Sequence, residues 1–289
     1  RQYNSAFSTY FNGQLDELTI WNTPLSMNTI RDWMCKKITS AHPNYVNLTR
    51  YYNFDEGTGN ILTDNSTSAL DGTLMNPPNW IVSGAPIGDV SDWISNVNIG
   101  DFVNLSHING DNQTATLTSG SAPLMQVYLV NEEPNVTSPP LPFDQLSQSN
   151  YFGVKVFQGS SPVYSIEYNY DGHPGITIEN NLGIASRNNN AVVNWTYESS
   201  SVLNVLNTTL LLENQSGTEF ILGSTGTNIL PIELIEFDAF IEDDIVLLNW
   251  KTASESNNDY FTIERSQDGL NWIALLNIKG AGNSSETIS

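Results

Sequence analysis

The stretch that decides the fold is Leu230–Ser285, LPIELIEFDAFIEDDIVLLNWKTASESNNDYFTIERSQDGLNWIALLNIKGAGNSS. Ile235, Phe237, Ala239 and Ile241 alternate with polar residues, the two-residue period of a strand with one buried face. Ile245 to Trp250 reads as a second strand and Tyr260 to Arg265 as a third, with Asp268-Gly269 as the hairpin turn into a fourth run, Trp272 to Ile278. A sandwich of this kind needs about seven strands and about four are legible here, so the reading expects the rest of the module downstream and the chain to be a fragment.

Upstream, from about Ile87 to Gly226, short apolar runs separated by Gly, Asn, Ser and Pro signal an all-β sandwich. The expected strands are Phe102–Ser106, Thr114–Thr118, Met125–Val130, Tyr151–Phe157, Val163–Tyr170, Gly175–Ile178, Gly183–Arg187, Val192–Tyr197, Thr208–Glu213 and Thr218–Leu222. Ser138-Pro139-Pro140-Leu141-Pro142 cannot continue a central strand and reads as an exposed loop. The fold class expected is all-β, with antiparallel sandwiches strung as beads over residues 1–86, 87–228 and 229–289.

The chain has 289 residues, 39% of them hydrophobic, and no apolar run near the roughly 20 residues a membrane helix requires, so no transmembrane segment is expected. Its formal net charge of −21 reflects scarce bases, with no Lys or Arg between Arg50 and Lys155. Phosphate recognition needs clustered cations, which argues against nucleic acid as a partner. The single cysteine, Cys35, sits in Trp33-Met34-Cys35-Lys36-Lys37 and is expected to be a buried structural thiol. His42, His107 and His173 lie in separate loop-like contexts with no shared motif.

Two blocks carry family resemblances. Pro231-Ile232-Glu233-Leu234, Leu247 to Glu255 and Asn258 to Ser266 resemble the fibronectin-III-like module that often precedes the sorting domain of proteins exported by the type IX secretion system of Bacteroidetes. That resemblance covers about a fifth of the chain and implies an address, the outer cell surface or the medium, with secretion or surface machinery as a partner. Phe11 to Asn22, FNGQLDELTIWN, and the later Tyr51 to Asn60, YYNFDEGTGN, with Asp64, Asp71 to Leu74 and Trp80, resemble parts of a laminin-G-like or pentraxin-like jelly roll. In this reading Leu18 and Ile20 mark a strand with one buried face, Pro24 ends it, and Ser26 caps a helix carrying Met27, Ile30, Trp33 and Met34 on one stripe.

In such jelly rolls the first and last strands are neighbours and calcium often ties the termini. The resemblance therefore implies calcium held by Asp16 with Asp55 or Asp64, in a stabilising role. The competing assignment for these carboxylates is turn capping, or pairing with Arg50, Arg31 or Lys36. No catalytic residue is expected. Asp55 and Glu56 are adjacent and so point to opposite faces of a strand, while Glu132-Glu133 and Asp243-Asp244 read as solvated turns. Trp80, Trp93, Tyr168 and Tyr170 lie near polar loops and are candidates for stacking on an extracellular glycan, whereas Trp21, Trp195 and Trp250 sit in alternating strands and read as core. The expectation is a non-enzymatic piece of a secreted or cell-surface protein serving adhesion or glycan binding, such as an adhesin of a gliding bacterium. The alternatives are accessory modules of a secreted polysaccharide- or protein-degrading hydrolase, or a spacer in a surface filament or secretion complex.

Overall fold

The computed structural model describes residues 13–75, 79–216, 218–226, 234–242, 245–252, 255–266 and 272–284. The chain is all-β, with antiparallel pairing in every sheet. Its N-terminal part contains β1 (Leu18–Trp21), α1 (Met27–Trp33), β2 (Leu48–Tyr52), β3 (Ile61–Leu62) and β4 (Gly72–Thr73). The strands pair as β1 with β2 and β3 with β4. As expected, Ser26 caps α1, its hydroxyl accepting from the Thr29 amide.

The middle sandwich is built from β5 (Val90–Val97), β6 (Phe102–Ser106), β7 (Asn112–Val130), β8 (Gln145–Leu146), β9 (Tyr151–Phe157), β10 (Ser160–Asn169), β11 (Leu182–Arg187), β12 (Thr196–Tyr197), β13 (Val202–Asn204), β14 (Thr209–Gln215) and β15 (Glu219–Ser224). The first half of β7 pairs with β6 and β10, and β14 and β13 extend that sheet. Its second half pairs with β5 and β9, and β15, β11 and β12 extend the other. One 19-residue strand thus belongs to both sheets. Ser119-Gly120-Ser121 separates the two runs expected as distinct strands, and it is a bend within one strand. Gly120 and Gly159 meet at this corner with positive φ, and a Cβ on Gly159 would lie 2.1 Å from the Ser121 carbonyl oxygen.

Burial along β7 follows from the bend. Before it, Gln113, Ala115 and Leu117 are buried and the intervening residues are more open, the pattern of a sheet with one wet face. After it, Leu124 to Val130 are all buried, because this half is covered on both sides. Met125, Val127 and Leu129 join the inter-sheet core with Phe152, Ile184 and Leu222. Tyr128 and Val130 face a second cluster with Phe143, Trp195, Ile221 and Cys35. Cys35 is thus the buried thiol expected, and the N-terminal part and the sandwich share a core across the boundary placed at residues 86/87. Burial pushes the thiol up to about 12.

Several details differ from the sequence reading. Gly175–Ile178 forms no strand and leads into a 3₁₀ turn at Glu179–Asn181. Val192–Tyr197 contributes only its last two residues, because Asn189 folds the chain into a turn, accepting from Ala191 and Val192. Leu18 and Ile20 are 39% and 48% exposed, and Thr19 and Trp21 form the more buried face of β1. Met27 and Ile30 are likewise exposed. The helix docks instead through its polar groups: Asp32 accepts from the Trp93 indole at 2.7 Å, and Arg31 stacks over that ring.

At the C-terminal end β16 (Leu234–Glu242) pairs with β17 (Ile245–Thr252), and β18 (Glu255–Ser266) with β19 (Trp272–Ser284). Trp250 and Phe261 pack edge to face between the hairpins, with ring centroids 5.9 Å apart. Phe237, Phe240, Ile245 and Ile273 are exposed. The Asp268-Gly269 turn, Asp243-Asp244, residues 11–12 of the Phe11–Asn22 block and the boundary at 228/229 lie outside the described residues. Among the described residues no helix is long and apolar enough to cross a membrane.

Since the corner admits no Cβ, Gly159→Ala is expected to destabilise the fold by about 2–4 kcal/mol. Urea denaturation reads this as a lower midpoint, and an unchanged midpoint would show that the corner relaxes.

Candidate functional site

The N-terminal part is held against the sandwich by a small set of bonds around Gln126, a fully buried polar residue on the outer face of β7. Its side-chain amide donates to the Arg31 carbonyl at 2.7 Å, and its carbonyl accepts from Cys35 Sγ at 3.3 Å. Cys35 and Lys37 exchange backbone hydrogen bonds with Gly88, and Lys37 Nζ lies 3.1 Å from Asp89 and 2.9 Å from Glu132. Beyond this seam the two parts diverge and leave a cleft of about 630 Å³.

Asp16, Glu17, Tyr51 and Asp55 line one wall of the cleft, and Tyr151 and Asn190 line the other. A second groove of about 730 Å³ shares Asp16, Asp55, Ser83 and Asn190 with it and adds an apolar flank of Leu15, Phe54, Trp80, Ile81 and Val82. Trp80 is half-buried, its indole N–H donating to the Gly59 carbonyl. The whole surface thus offers aromatic and aliphatic faces beside carboxylates and carboxamides, the side-chain mixture that suits a hydroxyl-rich ligand.

The electrostatics of the cleft follow from its shortage of cations. Burial pushes the Glu17 carboxyl up to about 7, with Asp16 and Asp55 adding to the shift, while the Tyr51 hydroxyl donating at 2.6 Å opposes it. Asp55 is also raised, by burial first and then by Asp16 and Glu56. Lys37, the cation in the lining, is engaged by Asp89 and Glu132.

The three carboxylates implied for calcium take different positions. Asp16 and Asp55 line the cleft together, and Glu17 joins them. Asp16 also caps its own turn, accepting from the Glu17 amide and the Ser83 hydroxyl. Asp64 is buried and accepts from the backbone amides of Tyr51, Ser66 and Leu70, with Arg50 at 3.8 Å. Burial alone would raise it, yet those bonds hold it down to about 2. Its lone pairs are committed to the backbone, which matches the turn-capping assignment. Among the described residues no group of three or more Asp, Glu, His or Cys side chains is arranged to hold a metal ion.

Of the aromatic candidates, Trp80 lines the groove. Trp93 is engaged with Asp32 and Arg31. Tyr168 and Tyr170 are core residues, 5% and 3% exposed, because the even positions of β10 face the opposite sheet and Tyr170, just past its end, keeps the same side. Of the tryptophans read as core, Trp195 is buried, Trp21 is half-buried against His42, and Trp250 is half-buried against Phe261.

Tyr168 belongs to a polar network that no sequence motif announces. Asp111 is fully buried and accepts from His107 Nδ1 at 2.8 Å, Tyr168 OH at 2.7 Å and Asn150 Nδ2 at 3.0 Å. Because the Tyr168 hydroxyl donates to Asp111, it accepts from His173 Nδ1 at 2.7 Å. His173 Nε2 lies 3.2 Å from Ser147 Oγ. Ser147, His173 and Asp111 superficially resemble a nucleophile relay. Ser147 is only 1% exposed, however, and its hydroxyl is engaged with His173 and Ser149 inside the fold. The network ties together the loops at one end of the sandwich. Two of the three histidines thus meet through the fold, although their sequence contexts are unrelated.

No family model, curated protein or solved structure matches the chain.

Two titrations follow. Burial alone would raise Asp111, but nearby His173 and the bonds from Tyr168 and His107 hold it down to about 2. The stabilisation is therefore present above the unfolded value near 4 and is lost as pH falls toward 2, amounting to about 2–3 kcal/mol. Asp111→Asn is expected to lose at least that much stability at pH 7 and to flatten the acid limb of a urea-midpoint profile. Glu17 has the opposite sign. Its folded value near 7 lies above the unfolded one, so its cost is absent below about pH 4.5 and grows as pH rises through 7. Because the group is partly solvated, Glu17→Gln is expected to raise Tm by only about 2–4 °C at pH 8 and by nothing at pH 4. Equal Tm changes at both pH values would contradict this assignment.

Proposed function

We propose that this chain is a non-catalytic binding portion of a secreted or cell-surface Bacteroidetes protein of the type IX export class, and that the cleft and its adjoining groove contact an extracellular glycan. The observation that carries the reading is the joined surface itself, where Trp80 and Phe54 flank Asp16, Asp55 and Asn190. Sugar rings stack on aromatic faces while carboxylates and carboxamides take their hydroxyls. The acidic, base-poor composition is consistent with a ligand that is not anionic. The fibronectin-III-like blocks at the C-terminal end support the surface address.

The test is calorimetric titration of the purified chain with cellohexaose, xylohexaose, mannohexaose and hexagalacturonate. Binding of at least one neutral hexasaccharide is expected, weakened about 5-fold or more by Trp80→Ala, since stacking on one aromatic ring is worth about 1 kcal/mol or more. Absence of binding to all four, or binding indifferent to Trp80→Ala, would overturn the reading.

One observation favours a second reading, in which the cleft cleaves what it binds. Glu17 keeps its proton to about pH 7 beside Asp55, as the acid of a glycosidase pair would. New reducing ends from the bound oligosaccharide, abolished by Glu17→Gln, would favour hydrolysis over simple binding.

A further inference from the structure

Arg187, at the end of β11, has a fully buried side chain and reaches no cleft surface of its own. Its Nε donates to Glu219 Oε2 at 2.6 Å, Nη1 to Asn135 Oδ1 at 2.6 Å and Nη2 to Asn190 Oδ1 at 2.7 Å. Trp195 stacks on the guanidinium, 4.2 Å from ring centre to Cζ, and Tyr151 lies 5.4 Å away on the same measure. Glu219 is held in turn by the Tyr128 hydroxyl at 3.1 Å. The planar group is therefore locked in orientation, and each nitrogen has an assigned acceptor.

The consequence falls on Asn190, which lines both the cleft and the groove. A guanidinium has only donors, so the Asn190 amide must turn its oxygen to Arg187. Asn135 Nδ2 donates to the Asn190 backbone carbonyl at 2.9 Å and holds the same residue from its other side. The Asn190 NH₂ end has no protein partner among the described residues and is the end left for a ligand. It stands across from Asp16 and Asp55, which can only accept when ionised.

We propose that Arg187 is a positioning residue for the binding cleft: it fixes Asn190 as an obligatory hydrogen-bond donor, so that the ligand presents an acceptor oxygen there while its hydroxyls donate to the carboxylates opposite. This rests on the glycan-binding reading and specifies it: the ligand class is an uncharged oligosaccharide, recognised by one fixed donor facing acceptors. A uronate would place its negative charge beside Asp16 and Asp55.

The test uses whichever of cellohexaose, xylohexaose or mannohexaose binds the wild-type chain, with hexagalacturonate as the acidic counterpart. Asn190→Asp keeps an acceptor for Arg187 but replaces the donor by a second acceptor. It is expected to weaken the neutral sugar 10-fold or more with little change in Tm. Arg187→Lys cannot span three acceptors and is expected to weaken binding to a similar degree, but to have no further effect in an Asn190→Ala background. Independently of any sugar, the side-chain amide of Asn190 is expected to lose NMR order in Arg187→Lys. Additive losses in the double variant, an Asn190→Asp chain that binds as well as wild type, or unchanged amide order in Arg187→Lys would each overturn the positioning role. Tighter binding of hexagalacturonate than of the neutral sugars would overturn the ligand class. A wild-type chain that binds none of the sugars would remove the glycan reading itself, leaving the amide-order measurement to decide whether Arg187 orients Asn190.

Discussion

The sandwich, the docking of the N-terminal part and the cleft between them depend on β7 serving two sheets. A strand that leaves one sheet and enters the other can have a solvent face only in the half where nothing lies above it. Its second half, Leu124 to Val130, is buried on both faces, so a second cover is obligatory. The cover consists of the segment around Cys35 and the loop bearing Phe143, and the polar Gln126 in its midst finds its shorter hydrogen bonds with Arg31 and Cys35. The docking of the N-terminal part is thus the completion of a core. The cleft is what remains where the docked part and the sandwich separate beyond Lys37.

A chain with 10 basic residues against 31 acidic ones deploys its cations with consequences for that cleft. Arg187 is buried in the core opposite Glu219, at a desolvation cost that its bonds and the Trp195 face offset. Arg50 lies beside Asp64, and Lys37 between Asp89 and Glu132. With these cations committed elsewhere, Glu17 and Asp55 in the cleft are pushed toward their protonated forms by burial and by their acidic neighbours. Composition sets the sign of the field, and the fold sets where it acts.

Much of the strand content was legible. Phe102–Ser106 and Tyr151–Phe157 match β6 and β9 to the residue, because their patterns are bounded by turn chemistry on both sides. β5 was not legible: Val90–Val97 reads VSDWISNV, and its inward positions include Ser91, buried beside Gln126. A polar residue that is buried because its partner lies on another strand breaks the alternation on which sequence reading relies. The exposed Leu18 and Ile20 mislead in the opposite direction. The candidate site was legible in part: Asp16, Asp55 and Trp80 were singled out and do line the joined surface, whereas Asn190 and Arg187 carried no signal. Their roles come from what faces them, and those partners are distant in the chain.

The sequence by itself determined the all-β class, the scarcity of positive charge and the burial expected of Cys35. These are consequences of local periodicity and composition, which act within a few residues or sum over the whole chain. Only the tertiary structure decided that two runs form one bent strand, that His107 and His173 meet at Asp111, that Asp64 serves the backbone, and that Asn190 is turned by a buried arginine. Each depends on a contact between segments far apart in the chain. Hydrogen bonding and desolvation are short-ranged in space, and no window of sequence contains both partners.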